Sequence, residues 1–364
     1  MRVLITGGGT GGHCTPAIAV AEALRQTDPE VAITYVGRAD GPEAGLVPTA
    51  GIDFSGLRLG SMGSSPVSSA PRLALRLPLA YREAARLLHR FRPQVVLATG
   101  GYVCVPVALA ARRRSIPVLL LEQNLLPGRA VHWLAPRVQL VASSFPETAA
   151  LLPRARVVCT GNPIRLSFAE LAGRPQPPEA PPTLLVMGGS QGARRLNEVL
   201  VAALPSLLRA MPQLTVVHLT GAADHDQVVA AATQAGLSVG GRYQPSPFVS
   251  NVAERLASAS LVVMRAGGSS LAEVACLGRP MVLVPYPHAG EHQAANARPF
   301  EAVGAARVIA DQDLTPQLLE RTVQEVIGSP EVWRSMARAS AAMARPRAAF
   351  DVADRLRELA GSRA

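Results

Sequence analysis

Lysine is absent from the 364-residue chain: all 36 basic residues are arginine. That excludes a Walker A phosphate loop, whose lysine reaches the phosphates, and any Schiff-base or pyridoxal enzyme, which starts from a lysine amine. Aromatic residues make up only 4%, so binding surfaces must rest on aliphatic side chains, glycine backbone and arginine. The four cysteines, Cys14, Cys104, Cys159 and Cys276, contain no Cys-x-x-Cys pair, which fits a reducing compartment and argues against a zinc site. Charged residues are scarce at 17% against 48% hydrophobic, a balance that excludes disorder. The opening MRVLITGGGTGGH runs straight into a strand and a glycine loop, unlike a signal peptide. One uncharged run, Pro93 to Ala111, is long enough to suggest a membrane span. Gly100, Gly101 and Pro106 interrupt it, and it parses as strand, loop and helix start. The expectation is a soluble protein whose membrane contact is at most peripheral.

What is present points to two similar halves, as the length suggests at roughly 100–200 residues per domain. Val3-Leu4-Ile5-Thr6 enters the glycine loop Gly7 to Gly12, and a helical pattern follows from Pro16 to Gln26. Thr183 to Met187 repeats the plan, entering Gly188-Gly189-Ser190-Gln191-Gly192 and a helix through Leu200. Short apolar runs then alternate with helical segments. In the first half they are Ala32 to Val36, Val95 to Ala98, Val118 to Leu121, Val138 to Ala142 and Val157 to Thr160. In the second they are Leu214 to Leu219, Leu261 to Met264 and Met281 to Pro285. Buried, unalternated strands separated by helices predict an α/β protein with two Rossmann-like, doubly wound parallel sheets. Ligands of such sheets bind at the carboxyl ends of the strands, here across a cleft between the domains. The expected domains are residues 1–163 and 164–340, with a terminal helical stretch, 341–364, free to dock on either.

Gly7 to Gly12 satisfies the G-x-G-x-x-G pattern between strand and helix, which alone would suit a dinucleotide. The acidic residue that should close the second strand is missing: Gly37-Arg38 stands there, which suits an NADP 2′-phosphate at best. His13 enters the first helix, where the dipole favours the neutral imidazole that a general base requires. In the second half, Gly267 and Gly268 allow close backbone approach, and the following N–H groups suit a diphosphate. Glu273 has two readings: the carboxylate of a Ser270-x-x-Glu273 capping box, or an acceptor for both hydroxyls of a ribose. Asp224-His225-Asp226 and Asp311-Gln312-Asp313 have the Asp-x-Asp form of some metal sites, but in places that argue against that role. Without a metal, a departing diphosphate would be neutralised by helix N-termini and by arginine, Arg165 being the candidate. The formal charge of +10 reflects either a solvated arginine surface or attraction to an anion, and charge alone does not choose. Arg72 to Arg92 interleaves arginine with leucine, either as an ordinary amphipathic helix or, with Arg112-Arg113-Arg114, as a patch for anionic lipid. Nothing resembling an aromatic nucleic-acid platform accompanies these arginines.

Six segments occur in order: GGGTGGHCTPAIAVAEAL, GGYVCVPVALAARRRSIPVLLLEQNLLPG, GNPIR, MGGSQGARRLN, RAGGSSLAEVACLGRPMVLVPYP and EHQAANA. Together they resemble the MurG family of glycosyltransferase family 28 over nearly the whole chain, which sets the dinucleotide reading aside. The resemblance implies a GT-B fold and an inverting, metal-free transfer of N-acetylglucosamine from UDP-GlcNAc to lipid I, forming lipid II. The nearest rival within the superfamily is a diacylglycerol glycosyltransferase. A non-catalytic nucleotide-sugar binder is the rival of another class, and retention of His13 and Glu122 argues against it.

By motif, Thr10, Gly11, Gly12 and Asn124 should contact the donor sugar, and Arg165 and Ser190 the diphosphate. Val249 should offer backbone groups to uracil. Gly268, Ser269, Ser270, Leu271, Ala272 and Glu273 should hold ribose and phosphate, with Glu273 on the ribose hydroxyls. Gln293 should reach the sugar hydroxyls. His13 is the expected base, with Glu122 as the alternative. The family resemblance implies no cofactor and no metal. It also implies a lipid-linked acceptor on the first domain and a peripheral place on the cytoplasmic face of the plasma membrane, against anionic lipid and without nucleic acid. Leu121, Glu291, Cys104 and Val131 depart from the family's usual histidine, aspartate, small hydroxyl residue and asparagine, which bears on the acceptor contacts rather than the reaction.

Overall fold

The computed structural model describes residues 1–9, 11–60, 66–172, 181–189, 193–249, 251–287 and 291–361, with side chains described from residue 76 onward in the helix that spans 66–91. The calls on Thr10 and Ser190 lie outside the described residues. The chain forms two compact units, Met1–Leu166 with Arg345–Ala364, and Ser167–Ala344.

The first unit runs β1 (Arg2–Thr6), α1 (Gly11–Thr27), β2 (Ala32–Arg38), α2 (Glu43–Thr49), β3 (Asp53–Leu57), α3 (Pro66–Phe91) and β4 (Val95–Ala98). It continues with α4 (Cys104–Arg113), β5 (Val118–Glu122), α5 (Arg129–Leu134), β6 (Leu140–Ser143), α6 (Thr148–Leu151) and β7 (Val157–Cys159). Its sheet is wholly parallel, in the order β3-β2-β1-β4-β5-β6-β7. Successive strand residues face opposite sides, so both faces are cores. Val3, Ile5, Leu97 and Leu119 pack on one side and Leu4, Val96, Ala98 and Leu120 on the other.

α7 (Leu166–Ala169) lies at the boundary. The second unit then runs β8 (Thr183–Met187), α8 (Arg194–Ala210), β9 (Thr215–Leu219), α9 (His225–Gln234), β10 (Tyr243–Ser246), α10 (Val252–Ser258) and β11 (Leu261–Met264). After it come α11 (Gly268–Cys276), β12 (Met281–Leu283), α12 (His292–Ala302), β13 (Ala306–Val308), α13 (Pro316–Gly328) and α14 (Pro330–Ala342). This sheet is also parallel, in the order β10-β9-β8-β11-β12-β13. The last helix, α15 (Ala348–Gly361), returns to the first unit. Ala349, Val352, Ala353 and Leu356 enter the same core as α1.

The uncharged run at 93–111 resolves into β4, a turn and the start of α4. Among the described residues no helix is long and apolar enough to cross a membrane. α3 turns Ala80, Ala84 and Leu88 into the core while Arg76, Leu79, Arg82 and Arg86 stay exposed. The ordinary amphipathic packing is therefore present, with arginines on the outer face.

Candidate active site

The strand order reverses after β1 beside β4 and after β8 beside β11, the usual ligand crevice of such sheets, and Gly7–Gly9 and Gly188–Gly189 follow those two strands. In the first unit Gly9 adopts φ +91°, open to glycine at little cost. A β-carbon on Gly8 would lie 2.0 Å from Glu43 Oε1, so only glycine lets the loop pass over that buried carboxylate.

α1 brings His13 back over this loop, and its Nδ1 lies 3.0 Å from the Gly8 carbonyl oxygen. A carbonyl only accepts, so in the neutral ring Nδ1 carries the proton and the lone pair sits on Nε2. The ring rests against the turn after β4, where a β-carbon on Gly100 would come within 3.2 Å of Nε2. Burial pushes the His13 pKa below its ordinary value, opposed by the Gly8 hydrogen bond and the Glu43 charge. The imidazole is thus kept neutral near pH 7 with Nε2 as its basic nitrogen.

Glu122, the alternative base, ends β5 and is 1% exposed. Its Oε1 accepts from the Asn124 backbone N–H at 2.8 Å and from Asn124 Nδ2 at 3.1 Å. Its Oε2 accepts from the Gly128 N–H at 2.8 Å. Gln123 Nε2 donates to the Thr99 carbonyl at 2.8 Å, clamping this loop to the end of β4. The carboxylate therefore shapes the 122–128 loop and orients Asn124, a role that competes with proton abstraction. Gly11 and Gly12 open α1 beside His13, and Arg165 lies near the unit's boundary, half-buried.

In the second unit, α11 starts directly after β11 with Gly267 as its N-cap. Ser270 is therefore the third residue of the helix, and no side chain caps it. The capping-box reading of Ser270 and Glu273 fails because the helix begins three residues earlier than that reading requires. Gly268, Ser269 and Ser270 form the first turn of this helix, the end that carries the positive pole of the helix dipole. Leu271, Ala272 and Glu273 follow, with Glu273 7% exposed. Asn296 Nδ2 donates to the Ala266 carbonyl at 3.2 Å, bracing the approach to this helix. Gln293 Oε1 accepts from the Tyr286 N–H at 2.9 Å, so here it holds the loop after β12. Val249 lies in the loop after β10.

In each Asp-x-Asp segment one carboxylate is engaged by a neighbouring side chain. Asp311 Oδ1 lies 2.5 Å from Arg265 Nη1 and its Oδ2 3.5 Å from Arg195 Nε. Asp224 accepts from Asn197 Nδ2 at 3.1 Å. Arg38, read as a 2′-phosphate binder, instead pairs with Asp40 at 2.7 Å and donates to the Tyr102 hydroxyl at 3.1 Å. Sequence reasoning did not single out Glu43. The signal was an acidic residue soon after β2: it stands five residues past Arg38 rather than at the strand end, and it folds back beneath the glycine loop.

A family model described as the glycosyltransferase family 28 N-terminal domain matches residues 3–143. The glycosyltransferase family 28 C-terminal domain matches residues 183–352. The chain belongs to glycosyltransferase family 28. A curated family 28 relative from Desulforudis audaxviator (strain MP104C), a UDP-N-acetylglucosamine--N-acetylmuramyl-(pentapeptide) pyrophosphoryl-undecaprenol N-acetylglucosamine transferase, is 39% identical over 99% of both chains. One of the same description from Anaeromyxobacter dehalogenans (strain 2CP-1 / ATCC BAA-258) is 37% identical over 99% of this chain and 93% of its own. The crystal structure of Acinetobacter baumannii MurG is similar with a TM-score of 0.76 and 28% identity, over 98% of this chain and 99% of that one. The two Rossmann-like parallel-sheet units of this family 28 chain are the GT-B architecture, and its activity is glycosyl transfer.

Proposed function

We propose that the chain transfers N-acetylglucosamine, with inversion, from UDP-GlcNAc to the C4 hydroxyl of the N-acetylmuramyl group of lipid I, forming lipid II in peptidoglycan synthesis. The observation that carries this reading is near-full-length identity of 37–39% to transferases of that description.

The second unit holds the donor. The first turn of α11 supplies N–H groups to the diphosphate, Glu273 accepts from the ribose hydroxyls, and Val249 lies in a loop suited to uracil. Arg165 adds positive charge for the departing UDP. The first unit takes the acceptor, and His13 Nε2 removes the proton from its C4 hydroxyl. The freed oxygen attacks C1 of the sugar, and the C1–O bond breaks with its electron pair going to the diphosphate. The geometry of Glu122 supports a role in holding Asn124 toward the donor sugar, which favours His13 as the base. The exposed arginines of α3 and Arg112, Arg113 and Arg114 suit the cytoplasmic face of an anionic membrane, where the lipid-linked acceptor resides.

Purified enzyme with labelled UDP-GlcNAc and a short-chain lipid I analogue should transfer label to lipid, with or without EDTA. Loss of transfer in EDTA would return Asp224, Asp226, Asp311 and Asp313 to consideration as ligands. Transfer to diacylglycerol but not to lipid I would overturn the acceptor half of the proposal.

A further inference from the structure

The Gly8–Gly9 peptide is held from both sides. Its N–H, belonging to Gly9, donates to Glu43 Oε2 at 3.3 Å. Its carbonyl, belonging to Gly8, accepts from His13 Nδ1 at 3.0 Å. The other oxygen of Glu43 accepts from the Arg38 N–H at 2.8 Å, which anchors the carboxylate to the end of β2. Glu43 is 0% exposed. Glycines make the room: a β-carbon on Gly41 would lie 2.5 Å from the Glu43 carboxyl carbon, and one on Gly101 2.4 Å from the Gly8 carbonyl oxygen.

We infer that Glu43 is a positioning residue for glycosyl transfer: through the Gly8–Gly9 peptide it fixes His13 with its proton on Nδ1 and supports the charge the ring gains on taking the acceptor proton. The inference rests on His13 being the base. A peptide whose N–H bonds a carboxylate is polarised, and its carbonyl becomes a stronger acceptor for the imidazole N–H. When Nε2 takes a proton, Nδ1–H becomes a charge-assisted donor and the attraction of the buried carboxylate grows. The interaction is therefore stronger after proton transfer than before it, which is the condition for lowering a barrier. In hydrolase triads a carboxylate bonds the histidine directly; here one peptide stands between them. A neutral amide in its place could accept from the Gly9 N–H or from the Arg38 N–H, whereas the carboxylate accepts from both and adds its charge.

Other titratable groups near the ring do not supply this effect. Burial raises the Cys14 and Cys104 thiols to about 12 and the Tyr35 hydroxyl well above its ordinary value, so all three stay neutral under assay conditions. Arg38 is paired with Asp40, Tyr102 donates to the Gly60 carbonyl at 2.7 Å, and Glu122 is bonded to Asn124 and Gly128. Among the described residues, Glu43 is the charge that raises the His13 pKa against burial.

The test is nitrogen NMR of the full chain with ¹⁵N-histidine, the His13 signal being assigned by its loss in His13→Gln. The wild type should show the Nδ1–H tautomer. Glu43→Gln should move the His13 titration to lower pH and the acid limb of kcat/KM with it. Its kcat should fall about tenfold, with KM for UDP-GlcNAc unchanged. Glu43→Asp keeps the charge and should recover much of the loss. An Nε2–H tautomer in the wild type overturns the inference, whatever the variants do. So does an unmoved His13 titration in a folded Glu43→Gln chain. Normal turnover by His13→Gln removes the base reading and this role of Glu43 together, whereas an unmoved titration removes the role of Glu43 alone.

Discussion

β9 carries His218 into the core of the second unit, where it is 0% exposed. Its Nε2 lies 2.9 Å from Asn197 Oδ1 and its Nδ1 2.9 Å from the Tyr243 hydroxyl. The Asn197 amide donates to the Thr220 carbonyl and to Asp224, so its oxygen faces the ring. Nε2 therefore donates, and Nδ1 accepts from Tyr243. Burial, with His225 second, pushes the His218 pKa down to about 3 from 6.5. Below pH 6.5 the unfolded chain binds a proton that the native state refuses, so stability is lost as the pH falls toward the folded value. From this residue alone the loss at pH 5 is about 2 kcal/mol. His218→Gln keeps an amide in place of the ring but cannot titrate. It should cost about 1–3 kcal/mol at pH 7.5, where the ring's hydrogen bonds are lost. That deficit should shrink by about 2 kcal/mol at pH 5. Urea unfolding can be followed by Trp333, packed in the second unit's core at 6% exposure, in a Trp133→Phe background that removes the chain's other tryptophan. An equal difference between wild type and variant at both pH values would refute the reasoning.

Glu122→Ala should leave the Asn124 and Gly128 N–H groups without their carboxylate, costing about 2 kcal/mol or more in thermal unfolding along with turnover; Glu122→Gln, with a single accepting oxygen, should restore only part of the stability. Asp311→Ala should expose the charge of the largely buried Arg265 and destabilise the second unit by about 3 kcal/mol, read by calorimetry. Glu273→Gln should raise KM for UDP-GlcNAc about tenfold or more, and a donor lacking the ribose hydroxyls should show no further loss in that variant. The acid limb of kcat/KM should lie below pH 6.5, because burial lowers the His13 pKa and transfer needs the neutral ring; a limb above 6.5 would point to another base.

The strands Val95–Ala98, Thr183–Met187 and Leu261–Met264 were legible to the residue, because an interior strand of a parallel sheet is covered on both faces and must be apolar throughout. The strands not picked out, β3, β10 and β13, are all edge strands. One neighbour and partial cover permit sequences such as DFSGL and YQPS, which carry no continuous apolar signal. The first glycine loop was legible for a related reason, since close backbone approach at Gly8 leaves a mark in residue type itself. The sequence by itself thus determined the two parallel sheets, their loops and the residues available for chemistry. Tertiary structure decided where those residues stand and what they bond to. It began α11 at Gly268, leaving Ser270 inside the helix, and it committed Asp311 to Arg265. It spent Glu122 on its own loop, brought α15 back to the first unit, and put Glu43 beneath a peptide 34 residues away in the chain. Periodicity is local and survives in the sequence, whereas a hydrogen bond across such a separation depends on where the packed sheet and its helices place the two ends.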